Sequence, residues 1–265
     1  MTRVGQFQFS WAGLSHLGEI FDKILSTRQP DRGKPIIVRD QSSSNKIIAC
    51  ETVSAGCLQH AREYFCKAAK NYPDECEKIQ LDLARIFEID RSTHDLSARE
   101  RLDRLKNEGL PLMEGLLRAV QKYMDEKIAT PASDMGIALS YFKKHYPTLL
   151  VPFNTAGVGL TNNLSEWMTY PVVRYINNCR HYATEAGAAI GDYVMSFTMM
   201  ALLSGRNPIK YIEYLLANQG NIEKGCQVET LPWEISVEQV PKISEKWFDH
   251  WIPKPDQTHL PHEAV

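Results

Sequence analysis

The spacing of hydrophobic positions changes along the chain. Gln6-Phe-Gln-Phe-Ser-Trp11 alternates polar and apolar residues, the period of a half-buried strand. From Ser15, which can cap a helix, the spacing turns helical. Leu17, Ile20, Phe21, Ile24 and Leu25 share one face of a helix from His16 to about Thr27. The stretch from Gln29 to Pro35 is a loop. The β-branched run Ile36-Ile-Val38 then predicts a short strand ending at Arg39-Asp40. Strand, helix and strand ending in an acid is an α/β pattern, and ligand sites in such sheets lie at the carboxyl ends of the strands.

A polar turn, Gln41 to Asn45, follows. Lys46 to Cys50 fits a short helix or a strand, and Thr52 to Cys57 a further strand. From Leu58 the period is helical: Leu58 to Lys70, Glu75 to Ile89, Ala98 to Glu108, Leu110 to Lys127 and Ser133 to His145, punctuated by Pro73, Pro111, Pro131 and Pro147. Ser97-Ala-Arg-Glu100 is a capping box. A loop spaced by Gly and Pro, Pro152 to Gly159, leads into Leu160-Thr-Asn-Asn-Leu-Ser-Glu166. Gly187 to Leu203 predicts an apolar helix, and Asn207-Pro208 starts another running to about Asn218. Glu229 to Ile235 reads as a short extended element, and the Pro-rich remainder as a loosely ordered tail. The expected division is 1–57 α/β core, 58–147 helical insertion, 148–235 C-terminal helical section and 236–265 tail. The fold class is α/β, dominated by helix.

Composition narrows the class. Hydrophobic content of 43% and charged content of 23% are ordinary for a soluble globular protein. With 30 basic and 32 acidic residues, the net charge of −2 excludes a wholly basic nucleic-acid binder and leaves local patches open. The first ten residues lack the apolar run of a secretory signal. The most apolar later stretch, Tyr193 to Leu203, is too short to span a bilayer. The expectation is a cytoplasmic protein without membrane contact. The six cysteines form no Cys-x-x-Cys pair and are expected to be reduced thiols.

Candidate chemistry centres on Asn162-Asn163-Leu-Ser-Glu166. Asn side chains favour helix starts, and a carboxylate one turn in suits the helix dipole. Those residues make either a capped helix or a metal-binding carboxylate held at a helix start. Asp40, at a strand end, is the acid that could share a cation with Glu166, because two-metal phosphoryl transfer needs converging carboxylates. Cys57-Leu-Gln-His60 has the spacing of half a zinc site, but no second pair follows. His60 and Arg62 fall at the start of a helix near the sheet's carboxyl edge, where they could meet phosphate. Arg99, Arg101, Arg104 and Lys106, mixed with acids, read as solvated helix faces. Arg174, Arg180 and His181 make a local excess of positive charge that either contacts a nucleic-acid backbone or is ordinary surface. There is no Gly-x-Ser-x-Gly, no phosphate-binding P-loop and no Gly-x-Gly-x-x-Gly.

Several of these stretches together resemble the DDE transposases of the insertion sequence 66 family. Ser15-His16-Leu-Gly18-Glu19 with Arg28 is similar to the family's His-x-Gly-Glu helix, and Pro35 to Asp40 to the strand carrying its second catalytic Asp. Gly56-Cys57-Leu-Gln-His60-Ala61-Arg62 through Phe65 resembles its Gly-Cys-x-x-His-Ala-Arg-Arg-x-Phe block. Leu96-Ser97 with Arg101-Leu102, and Ser133, Gly136, Ala138 and Tyr141, match its helical insert. Asn162-Asn163-Leu-Ser-Glu166 matches its Asn-Asn-x-x-Glu. Gly187-Ala188, Asn207-Pro208 with Tyr211-Ile212, and Leu231-Pro232-Trp233 match its C-terminal section. The matches are collinear from about residue 14 to 235.

The resemblance implies a partial ribonuclease H-like core interrupted by a helical insertion. It implies DNA transposition by metal-dependent strand cleavage and transfer, with Asp40 and Glu166 as catalytic ligands of Mg²⁺ or Mn²⁺. His60, Arg62, Asn162, Asn163 and Arg174 are the candidate DNA contacts. The implied partners are transposon-end DNA and a homo-oligomer or full-length transposase, in a bacterial cytoplasm and at the nucleoid when DNA-bound. The family's first catalytic Asp and its DNA-binding N-terminus find no counterpart, because the resemblance starts at the equivalent of the third core strand. Thr161, Trp167, Glu63 and Ile176-Asn177-Asn178 replace an Asp and several cations. The expectation is a truncated, diverged transposase, inactive alone; the alternatives are a non-catalytic accessory fragment that binds DNA or a transposase, and a non-functional remnant.

Overall fold

The structure is a computed structural model, and it describes residues 22–23, 25–26, 28, 33–40, 50–93, 95–163, 173–174, 177, 182–223 and 228–244. The expected strand at Gln6–Trp11, the His16–Glu19 motif, the 41–49 turn, Glu166, Trp167, Arg180 and His181 lie outside them. Packing divides the chain into two compact units, residues 15–163 and residues 1–14 with 164–265. The expected boundaries at 57 and 147 both fall inside the first unit.

Residues 15–163 combine a small parallel sheet with helices. Asp22, Lys23, Leu25 and Ser26 are helical. Strand β1 (Ile36–Arg39) pairs in parallel with β2 (Val53–Gly56), from Ile36 opposite Val53 to Arg39 opposite Gly56. Helices α1 (Leu58–Ala68), α2 (Pro73–Ser92), α3 (Ala98–Arg104), α4 (Leu110–Asp125) and α5 (Asp134–Leu149) follow, and a last short turn is α6 (Val151–Asn154). One continuous apolar core joins them. Leu58, Ala61 and Phe65 of α1 recur at helical spacing and meet Ile79, Leu83 and Ile86 of α2, Met113, Leu116 and Val120 of α4, and Ala138 and Phe142 of α5. Burying side chains of this size contributes roughly 1.5–3 kcal/mol each before entropy is counted. Ser97 and Glu100 form the capping box at α3, and Ser133 accepts from the Gly136 N–H to start α5. Gly136 is the residue the contact tolerates, since a Cβ there would run into the Thr130 carbonyl.

Two prolines behave differently from the expectation. Pro111 does not separate two helices. The chain passes from α3 through a π-helical turn, Leu105–Gly109, directly into α4. A proline cannot donate, and its ring crowds the carbonyl four residues back; the wider turn just before Pro111 makes that room without ending the helix. Pro147 lies inside α5, which continues to Leu149. Leu149 and Phe153 are buried, and burial of this end keeps the helix intact past the proline.

Residues 164–265 form the second unit. Thr184 caps α7 (Glu185–Leu203), Asn207 caps α8 (Pro208–Ala217), and α9 (Gln219–Glu223) follows. Ala201, Tyr211, Ile235 and Val240 are buried together. The segment 229–235, expected to be extended, instead starts in a 3₁₀ turn, Val228–Thr230, and continues as turns. The expected loose tail is anchored as far as it is described. Val240 is fully buried, Lys242 bridges to Arg206, and the Ile243 N–H donates to the Gly205 carbonyl at 3.0 Å. Helix α7 is long and apolar enough to cross a membrane by length and composition. A core helix has the same composition, and Met195, Met199, Met200, Ala201 and Leu202 of α7 are buried.

Candidate functional site

Parallel pairing brings the carboxyl ends of β1 and β2 to one edge. Arg39 faces Gly56, the Cys57 N–H donates to the Arg39 carbonyl at 3.2 Å, and Arg39 Nε donates to Ser54 Oγ at 3.2 Å. Asp40 follows directly and is partly buried. Across from it, the Tyr141 hydroxyl of α5 donates to the Asp40 main-chain carbonyl at 3.4 Å, a long contact. The Tyr141 ring stands between Tyr64 and His145, with both ring centroids 4.6 Å away. Burial pushes the Tyr141 hydroxyl well above the usual phenol range, helped by Cys57, Tyr64, Asp40 and Glu63, so it remains a donor at neutral pH.

Helix α1 starts at the end of β2. Gly56 is required there: a Cβ would lie 2.9 Å from Leu149 Cδ2 and 2.9 Å from Thr148 Oγ1. Its N-cap, Cys57, makes no side-chain cap, and no acid stands in its first turn. His60 sits in that first turn and Arg62 just after it. The loop from Thr155 to Asn163 closes on the same place, for the Leu58 N–H donates to the Leu160 carbonyl at 2.8 Å. Asn162 and Asn163 follow two and three residues later.

Four polar side-chain atoms here are not satisfied internally. Gln59 Oε1, Arg62 Nε, Asn162 Oδ1 and Asn163 Oδ1 are buried and have no hydrogen-bond partner. The Arg62 guanidinium lies over the Phe87 ring at 5.8 Å, a cation–π contact that leaves its N–H groups unspent. A buried polar group without a partner costs about 1–3 kcal/mol.

Sequence reasoning missed Arg101. It was expected on a solvated helix face, but its side chain is 17% exposed and paired with Asp90 at the end of α2. Its Nε donates to Asp90 Oδ1 at 2.8 Å, its Nη2 contacts the same carboxylate, and its Nη1 donates to the Val158 carbonyl at 2.8 Å. The signal available was its position four residues after the Ser97 cap. Its partner on the loop lies 57 residues further on.

Asp40, His60, Arg62, Asn162 and Asn163 all lie in the unit formed by residues 15–163. Arg174 is exposed and helical, in the other unit, and Glu166 lies outside the described residues. Among the described residues no group of three His, Cys, Asp or Glu side chains could hold a metal ion.

The fold defines a helix-rich α/β protein built around a small parallel strand pair. A family profile, that of the IS66 transposases, matches residues 15–190, well over half the chain. The protein belongs to the IS66 transposase family. No curated relative and no solved structure matches it.

Proposed function

We propose that this protein acts on DNA at transposon ends, by metal-dependent strand cleavage and transfer on a partial ribonuclease H-like core. On this reading strands β1 and β2 belong to that core, within residues 1–57, and residues 58–147 are an insertion between the strand bearing Asp40 and the segment bearing Glu166. The observation that carries the reading is the set of unpartnered polar atoms on Gln59, Arg62, Asn162 and Asn163. A DNA duplex offers what these atoms lack: phosphate oxygens for the Arg62 N–H, and amino donors on base edges for the amide oxygens. His60 lies in the same first turn, and Arg174 supplies a further cation elsewhere on the chain.

Asp40 suits a divalent cation as one ligand, since Mg²⁺ takes one or two carboxylates and fills its remaining positions with water and substrate phosphate. Asp40 and Glu166 would hold Mg²⁺ or Mn²⁺, which when bound activates the attacking oxygen and stabilises the leaving one. Arg62 and the two asparagines hold and orient the phosphate backbone next to that position. The working environment is the cytoplasm at the nucleoid, with DNA and a second transposase chain as partners.

The test is binding of a labelled duplex carrying matching transposon ends, followed by strand transfer with Mn²⁺. Affinity should fall steeply with salt, as released counterions require. It should drop about tenfold in Arg62→Gln, the effect of losing one charge-assisted contact. Unchanged affinity in both Arg62→Gln and Asn162→Ala would sink the assignment of this surface. Strand transfer that survives Glu166→Gln would remove Glu166 from the chemistry. Glu63, exposed where the family pattern carries a cation, favours a second reading, an accessory chain that binds DNA or a transposase without catalysis. That reading predicts salt-dependent binding with no transfer at any metal concentration.

A further inference from the structure

Arg101 connects three parts of the first unit that are far apart in sequence. It leaves α3, pairs with Asp90 at the end of α2, and holds the Val158 carbonyl in the loop before the Asn pair. That loop is built from residues that hold position poorly by themselves. Gly157 has φ of 80°, in the region only glycine enters freely, and Gly159 follows two residues later. Val158 and Leu160 are buried between and after the glycines, and the Leu160 carbonyl receives the Leu58 N–H. Asn162 and Asn163 then carry unpartnered oxygens at the start of α1. The order of contacts is therefore Asp90, Arg101, Val158, Leu160, Leu58, with the Asn pair at the far end.

We infer that Arg101 is a positioning residue: its guanidinium fixes the 157–163 loop so that Asn162 and Asn163 stand at the first turn of α1 ready for ligand. The functional half of this inference rests on the DNA reading above; the positional half does not. The planar fork explains the residue type. One guanidinium can satisfy a carboxylate and a carbonyl in fixed directions at once, which a lysine ammonium on a flexible stem does not do. Arg101 acts through Asp90 and the Val158 carbonyl, so its effect is transmitted through the loop.

The experiment uses the full chain and two variants, Arg101→Lys and Asp90→Asn. Amide hydrogen exchange is read at Leu58 and across 157–163, against amides in α4 and α5. Arg101→Lys should speed exchange at Leu58 and in the loop by about tenfold, the mark of a local opening, and leave α4 and α5 protected. Affinity for the labelled duplex should fall by about fivefold in parallel, as expected when a pre-organised contact must be ordered on binding. Asp90→Asn keeps the donation to Val158 and should give a smaller change on both readouts, a rank order that general loss of stability would not produce. Unchanged exchange at Leu58 and in the loop in Arg101→Lys overturns the proposal. So does uniform loss of protection through α4 and α5, which would make Arg101 a residue of the fold alone. If the wild-type chain binds no DNA, the DNA reading fails and the exchange data still decide the positional role.

Discussion

Two arginines, one in each unit, show how this chain treats a cation brought out of water. Arg206, just after α7, spends its guanidinium entirely on its own unit. Its Nε donates to the Pro232 carbonyl at 3.1 Å, its Nη1 to the Val240 carbonyl at 3.0 Å, and its Nη2 to the Ile235 carbonyl. Its backbone donates to Ala201 at 2.8 Å. Those contacts pull 232–240 onto the end of α7 where no regular element would hold it. Arg62 is also partly buried, but it has only the Phe87 ring beneath it, and its Nε is unpartnered. The first arginine is a structural tie. The second is partly buried with its Nε unpartnered, which on the proposed reading leaves its charge available for a phosphate. Burial alone does not distinguish the roles; the list of partners does.

The largest test of the contrast is stability. Arg206→Ala strands three carbonyls and should destabilise its unit by about 2–4 kcal/mol, the cost of leaving buried groups unpaired. Arg62→Ala removes a cation–π contact and an unsatisfied donor, and should change stability by no more than about 1 kcal/mol. Urea unfolding with a constant slope measures both. Equal losses would break the comparison, and would mean that Arg62 is as structural as Arg206.

A smaller effect is expected at the asparagines. Asn162→Ala deletes an oxygen that is buried without a partner, so stability should stay within about 0.5 kcal/mol of wild type or rise slightly, as when a functional residue is removed. Duplex affinity should fall by about three- to tenfold, one hydrogen bond's worth. A stability loss with unchanged affinity would return Asn162 to a purely capping role and leave Arg62 as the single binding feature of this edge.

How much of this was legible in the sequence follows from the range of each interaction. The strand at Ile36–Val38, the helices from Leu58 to Leu149 and the caps at Ser97 and Asn207 depend on residues within one or two turns, and periodicity reaches that far. The prolines misled because a local rule met a tertiary answer: the π-helical turn before Pro111 and the buried end of α5 keep helices going through residues that ordinarily stop them. The Asn pair was visible as helix-start chemistry, and Asp40 as an acid at a strand end. Arg101 and Arg206 were not visible as ties, because their partners are carbonyls, which every residue carries, tens of positions away. The segment 229–240 misled for the same reason. It has no periodicity of its own and takes its shape from Arg206.

His145, in the same unit as Arg62, provides the finest test. It is partly buried, its ring tilted against Tyr141 with centroids 4.6 Å apart, with Lys144 next to it. Burial holds its imidazole below the ordinary range, and the Lys144 charge adds to this, so the neutral ring is favoured in the folded protein. The sign follows from proton counting. Above the ordinary histidine value of about 6.5, both folded and unfolded chains carry the neutral ring, and His145 adds no pH dependence. As pH falls through that value, the unfolded chain takes up the proton first, and stability is lost until the depressed folded value is passed. The stability difference between wild type and His145→Gln should therefore shift against the wild type between pH 7.5 and pH 5, while the corresponding difference for Arg206→Ala stays flat. Urea midpoints at the two pH values measure this. A flat His145 difference would mean that the ring titrates alike in the folded and unfolded chains and that burial does not act on it. A difference that moves in favour of the wild type as pH falls would mean that a nearby anion holds the folded ring protonated, and would make His145 a charged partner like Arg62 rather than a buried neutral ring.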